Sequence, residues 1–153
     1  MPDLPATGSC RCGALQVEVS APPIMTAACH CRGCQKMSAS AFSLTAMVPA
    51  RGFRVVSGTP VQGGIKGPVC SHFHCAACFA WVFTRITGME DLVNIRPVMF
   101  DRPAWCEPFI ETLCAEKLDW VTTPARHHFD GFPPEDRFAG LMAEFADAMA
   151  GRL

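Results

Sequence analysis

For most of the chain, apolar and polar residues alternate in short stretches; near the end the spacing becomes helical. Leu15, Val17 and Val19 alternate with Gln16, Glu18 and Ser20, the two-residue period of a strand with one buried face. Pro22-Pro23 ends that stretch. Residues 25–30 predict a second strand, Ala41 to Val48 a third, and Phe53 to Ser57 a fourth, with Pro49 and Gly52 as turn residues between the last two. Gly33 to Ser38 predicts a single helical turn. Gly58, Pro60, Gly63, Gly64, Gly67 and Pro68 then break the chain too often for a helix. Val69 to His74 is strand-like again, and Phe79, Trp81 and Phe83 alternate on the far side of a tight turn. Leu92 to Ile95 and Phe109 to Cys114 predict further short strands. Short strands broken by Gly and Pro indicate a mainly β fold, a sandwich or a curved sheet.

From Glu135 to Gly151, Phe138, Leu141, Met142, Phe145 and Met149 recur at helical spacing behind Pro133-Pro134. A helix over about 135–150 is expected, packed on the sheet; docking to a partner is the alternative use of such a stripe. The length fits one domain, residues 1–153, and no internal repeat or low-complexity segment interrupts it.

Composition narrows the function classes. Half the residues are hydrophobic and 18% are charged, which suits a buried core. No run of about 18 apolar residues is present, so no membrane span is expected. The formal net charge is −1, and Arg11, Arg32, Lys36, Arg51, Arg54 and Lys66 are dispersed rather than clustered. Nucleic acid is therefore not an expected partner. The start, Met1-Pro2-Asp3-Leu4-Pro5, has neither a basic nor an apolar targeting region, so a cytoplasmic location is expected. In a reducing compartment grouped thiols stay free or bind metal; a disulfide framework is the alternative.

Of ten cysteines, seven fall into three tight groups: Cys10-x-Cys12, Cys29-x-Cys31-x2-Cys34 and Cys75-x2-Cys78. Such gaps suit metal ligands, because neighbouring thiols on a turn can share one zinc at Zn–S distances of about 2.3 Å. Cys10, Cys12, Cys75 and Cys78 make a closed set of four, a structural site; buried core thiols are the other reading. Cys29, Cys31 and Cys34 make a set of three that leaves one position open. Two zinc ions per chain are expected, one structural and one catalytic or exchangeable. Three thiolates outweigh the charge of a zinc ion, so such a centre favours a soft incoming thiolate over making hydroxide. His30, Cys70, His72 or His74 would close this second site if one of them reached it. Cys70 reads equally well as a core thiol, and Cys106 and Cys114 read as structural.

The runs Gly8-Ser9-Cys10-Arg11-Cys12-Gly13, Cys29-His30-Cys31-Arg32-Gly33-Cys34-Gln35-Lys36, Ser40-Ala41-Phe42 and Cys75-Ala76-Ala77-Cys78 resemble the glutathione-dependent formaldehyde-activating enzyme family, which also includes centromere protein V. The resemblance extends from Gly8 to about Pro134, with Glu107 to Thr112 through Trp120 similar to the late part of bacterial members. It implies a β-tent fold of zinc-bound, folded sheets with short helical turns and one C-terminal helix. It implies a structural zinc on Cys10, Cys12, Cys75 and Cys78, and a second on Cys29, Cys31 and Cys34, where glutathione and formaldehyde combine into S-hydroxymethylglutathione. The chain departs from the family at Phe79 and Ala39, near which members commonly carry Gly. The expected enzyme is a zinc-dependent carbon–sulfur lyase joining a thiol to a small aldehyde. Arg32 and Lys36 are candidates for holding glutathione's carboxylates, and His30, His72 or His74 for relaying the proton. The competing classes are a non-catalytic zinc module that binds another protein, and a thiol protein that releases zinc on oxidation.

Overall fold

A computed structural model of the chain describes residues 3–65, 67–101 and 103–150. Met1, Pro2, Lys66 and Gly151 lie outside the described residues. The fold is mainly β. The elements are β1 (Ala6–Ser9), β2 (Gln16–Val19), β3 (Met25–Cys29), α1 (Arg32–Ser38), β4 (Ser43–Pro49), β5 (Phe53–Ser57), β6 (Pro60–Gly63), β7 (Cys70–Cys75), β8 (Trp81–Ile86), β9 (Leu92–Ile95), β10 (Ile110–Thr112), β11 (His127–His128) and α2 (Glu135–Ala150). The strands and both helices expected from the alternation are present, with shifted ends. Three short strands were not expected. β1 has no apolar alternation and stands by its pairing with β2. β6 begins with Pro60 inside the punctuated stretch; it pairs with β7 alone and forms the sheet edge, where proline is tolerated. β11 has only two residues.

The strands form a three-stranded sheet, ordered β1-β2-β5, and an eight-stranded sheet, ordered β11-β10-β3-β4-β9-β8-β7-β6. Successive side chains on a strand point to opposite faces, and opposed residues on paired strands share a face. One face of the large sheet presents Ala46, Val48, Phe83, Val93 and Ile95. Against it pack Leu15, Val17, Val19 and Phe53 from the small sheet, and the main core lies between them.

The other face carries the helices and a row of polar groups. Met25, Phe109 and Ile110 receive Leu141 and Phe145 of α2, which packs on the sheet as its apolar stripe predicted. The register also places Cys29 opposite Ser43, Ala27 opposite Thr45, Met47 opposite Asn94, Asn94 opposite Thr84, and Thr84 opposite His72. A chain of polar side chains therefore crosses this face from β3 to β7, starting at the thiol of Cys29.

Candidate metal centres and the polar face beside the second

The first thiol set joins the two sheets. Cys10 and Cys12 sit in the turn from β1 to β2, closed by Gly13 at a φ of +78°, a conformation open to glycine and strained for other residues. Cys75 ends β7, and Cys78 lies in the turn to β8. The four sulfurs lie within 4.8 Å of one another. Cys10 and Cys12 are separated by 3.6 Å, Cys12 and Cys75 by 3.8 Å. Thiolates on a tetrahedral zinc at 2.3 Å would stand about 3.8 Å apart, so this spacing fits the metal. Backbone N–H groups of Leu15 and Ala77 donate to the sulfurs of Cys10 and Cys75 at 3.3 and 3.4 Å, which suits sulfur carried as thiolate. Burial pushes the Cys10 thiol up, but the Leu15 amide and the neighbouring thiols of Cys75 and Cys12 outweigh it and bring the group down to about 6. All ten cysteines are free thiols.

The second set is assembled by one bend. Cys29 ends β3, Cys31 caps α1, and Cys34 lies in its first turn. Their sulfurs converge within 4.8 Å, and all three are half-buried. The Cys31 sulfur accepts the backbone N–H of Cys34 at 3.3 Å, so the ligand geometry and the helix start are the same feature. Hydrogen bonding from Cys34 holds the Cys29 thiol down at about 5 against the effect of burial, with the Cys31 amide and the Thr112 hydroxyl assisting. The Cys34 thiol is correspondingly pushed up. Among the described residues, His30, Cys70, His72 and His74 are not in this converging set.

Beside the triplet lies the polar face. His72 shares it with Thr84, whose hydroxyl meets His72 Nδ1 at 2.9 Å and accepts from the Trp81 indole at 3.1 Å. His74 stacks on Trp81, and its Nδ1 is buried without a partner. Arg96 follows Asn94 by two residues in extended backbone and stays on the same face. Its guanidinium lies over the Trp81 ring at 4.0 Å. Burial lowers the Arg96 pKa to about 10 while the charges of Cys34 and Cys29 oppose that shift, so the cation is within electrostatic reach of the triplet. Burial likewise lowers His72 and His74, with Arg96 adding to the effect on His72. Across from β7, Gly64 lets α1 come close: a Cβ there would sit 2.8 Å from Cε of Met37. Cys70 is half-buried near the triplet; burial raises its thiol first, and the charges of Cys29 and Cys31 raise it further.

Behind the triplet stands a second polar cluster on the opposite side of the sheet. His30 follows Cys29 and, by alternation, turns away from it, toward Glu111, which is paired through Ala28. Both side chains are fully buried. Glu111 accepts from His30 Nε2 at 2.9 Å, from Lys117 Nζ at 2.8 Å on both oxygens and from Thr123 at 2.8 Å; it also pairs with His128. Burial raises this carboxyl, but Lys117, Thr123, His128 and His30 outweigh it and hold it at about 2. Cys114 lies within 4.8 Å of His30 and Glu111, yet both carboxylate oxygens already serve protein donors. Gln35 ties the helix to the same region, donating to the carbonyls of His30 at 2.6 Å and Glu116 at 3.0 Å.

The expected residues thus separate. The seven grouped cysteines come together as two sets. Arg32 and Lys36 lie exposed on α1, and Arg32 is engaged with Gln35 at 2.8 Å. His72 and His74 share the face beside the triplet, whereas His30 belongs to the Glu111 cluster. Cys106 is buried and donates to the Pro103 carbonyl, in keeping with a structural role. Arg96, Trp81, Thr84, Glu111, Lys117, Thr123 and His128 were not expected. A signal existed for two of them: Arg96 follows the apolar Leu92–Ile95 stretch two residues after Asn94, at strand spacing, and Glu111 is the charged residue inside Phe109–Cys114.

Residues 5–116 match the family model described as glutathione-dependent formaldehyde-activating enzyme. No curated protein matches the chain. The fold is similar to that of a Rhodobacter sphaeroides protein known from a crystal structure, with a TM-score of 0.51 and 20% sequence identity over 62% of this chain and 87% of the other. That likeness is one of fold. No helix among the described residues is long and apolar enough to cross a membrane.

Proposed function

The chain belongs to the glutathione-dependent formaldehyde-activating enzyme family, and we propose that it catalyses the reversible addition of a thiol such as glutathione to formaldehyde or another small aldehyde. The reverse reaction cleaves a carbon–sulfur bond, which makes the enzyme a carbon–sulfur lyase. The observation that carries this reading is the convergence of the three half-buried thiols of Cys29, Cys31 and Cys34, with no fourth His, Cys, Asp or Glu in the set among the described residues.

In this reading each chain holds two zinc ions, one on Cys10, Cys12, Cys75 and Cys78 and one on Cys29, Cys31 and Cys34. The second would lower the pKa of an incoming thiol and leave a position for it. The residues of the chain supply the rest. The Cys34 amide and the Thr112 hydroxyl support negative charge on the triplet sulfurs. In the reaction the thiol loses its proton, a sulfur lone pair forms the C–S bond, and the carbonyl π pair moves to oxygen. A proton returned to that oxygen completes S-hydroxymethylglutathione, so no proton is gained or lost overall. His72 and His74, kept neutral by burial, lie on the face beside the triplet and are suited to carry it. Soluble substrates of this kind are in keeping with a cytoplasmic enzyme.

Exchange NMR of formaldehyde and glutathione, with and without the zinc-loaded protein, tests the reading. The wild type should raise the rate of adduct formation above the spontaneous background, and Cys31→Ser should return it to background. Equal rates for the two proteins would overturn it.

A further inference from the structure

Arg96 is 6% exposed, yet its Nε and Nη1 have no hydrogen-bond partner. Nη2 reaches only the Asn94 carbonyl at 3.5 Å. An unpaired buried cation is strongly unfavourable. Stacking on Trp81 at 4.0 Å offsets part of that cost and fixes the plane of the guanidinium, while leaving its edge donors free. The sheet register puts Arg96 on the Cys29 side, and Cys34 and Cys29 lie near enough for their charges to act on it. Arg32 and Lys36, the cations nearest the triplet in sequence, are exposed on α1.

We infer that Arg96 is a specificity-determining residue that pairs with a carboxylate of the thiol bound at the Cys29–Cys31–Cys34 site. A planar cation with free edge donors matches a carboxylate better than a single alkoxide oxygen does. The inference deepens the thiol-addition reading and rests on it for the location of the thiol.

Isothermal titration of the zinc-loaded protein with glutathione, glutathione diethyl ester and 2-mercaptoethanol tests it. Wild type should bind glutathione at least about tenfold more tightly than the diester, the scale of one charge-assisted hydrogen-bonded pair. Arg96→Met should erase that ratio and leave 2-mercaptoethanol unchanged, with Arg96→Lys in between. A wild-type ratio near one, or a ratio that survives in Arg96→Met, overturns the inference. So does an equal loss for all three thiols, which would make Arg96 a counterion of the thiolate centre. If Arg96→Met does not fold, acetate competition on wild type decides: acetate should weaken glutathione but not the diester, and failure to do so overturns the assignment. A silent formaldehyde assay with the ratio intact sinks only the aldehyde chemistry; absence of thiol binding sinks both.

Discussion

The two thiol sets are built from the same residue type at similar gaps, but their surroundings differ. The sulfurs of Cys10 and Cys75 are buried in the main core, and the turns that carry them belong to different sheets. Their nearest hydrogen bonds are backbone amides to sulfur, from Leu15 and Ala77. Cys31 also accepts a backbone N–H, from Cys34, but the setting of Cys29, Cys31 and Cys34 is different. That set lies within one bend of chain and joins nothing distant. On its side of the sheet stand His74 and Arg96, whose buried nitrogens have no partner. A folded protein rarely leaves such groups unpaired, since each costs about 1–3 kcal/mol or more. The first set is thus satisfied by the chain itself, and the second is a place where the chain has left donors for something else.

The sharpest break between them is in stability. Structural zinc is worth about 10–16 kcal/mol in binding free energy, as much as a whole domain's net stability of about 5–15 kcal/mol. Cys75→Ser should therefore abolish the cooperative unfolding transition seen by circular dichroism. Cys31→Ser should keep it, shifted by less than about 2 kcal/mol, because serine also serves as a helix N-cap in place of the Cys31 sulfur. A cooperative melt in Cys75→Ser, or its loss in Cys31→Ser, would reverse the roles assigned to the two sets.

The grouping of the ligands is legible in the sequence because each group is local: a gap of one or two residues places thiols together on a turn wherever that turn lies. Strand alternation is equally local, and it locates β2, β3, β4, β5, β8 and β9 to within a few residues. The partners of the second set are not legible, for the opposite reason. Arg96 reaches the Cys29 side only through the pairing of β9 with β4 and of β4 with β3. Glu111 reaches His30 only because β10 runs parallel to β3. Register between distant strands is set by the whole sheet, so neither residue announces its neighbours. Sequence proximity singles out Arg32 and Lys36, which are exposed on α1.

A smaller effect concerns how the second set is held from behind. Glu111 is fully buried and ionised, with Lys117, His30, Thr123 and His128 on its oxygens. Glu111→Gln leaves Lys117 without its counter-charge and should cost about 3 kcal/mol. The pH dependence has a defined sign. The folded carboxyl lies near 2, below its ordinary 4.5. Its contribution is therefore complete above about 4.5 and is lost as the pH falls toward 2. Wild type should lose stability through that window, and Glu111→Gln should show a flatter acid limb in denaturant titrations. A parallel pair of curves would rule out Glu111 as the source of the acid sensitivity. Because the cluster anchors His30 between Cys29 and Cys31, the variant should also weaken metal retention by the set of three more than by the set of four.

The smallest effects come from two of the residues held in left-handed backbone. Phe79, beside the set of four, has a φ of +55°, and Ala39, which ends α1 beside the set of three, has a φ of +48°. Left-handed backbone costs a residue with a Cβ about 1–2 kcal/mol, and glycine nothing. Part of that gain is returned through the greater freedom of glycine in the unfolded chain. Phe79 is 72% exposed and Ala39 is exposed, so little packing is lost in either exchange. Phe79→Gly and Ala39→Gly should each stabilise the fold by about 1 kcal/mol in urea titrations. The sites lie in separate turns, so the two gains should add in the double variant. They should separate in a second measurement: Phe79→Gly slows zinc loss from the structural set, whereas Ala39→Gly slows it from the set of three. Destabilisation by either glycine would mean that the strained backbone is held by side-chain contacts rather than merely tolerated.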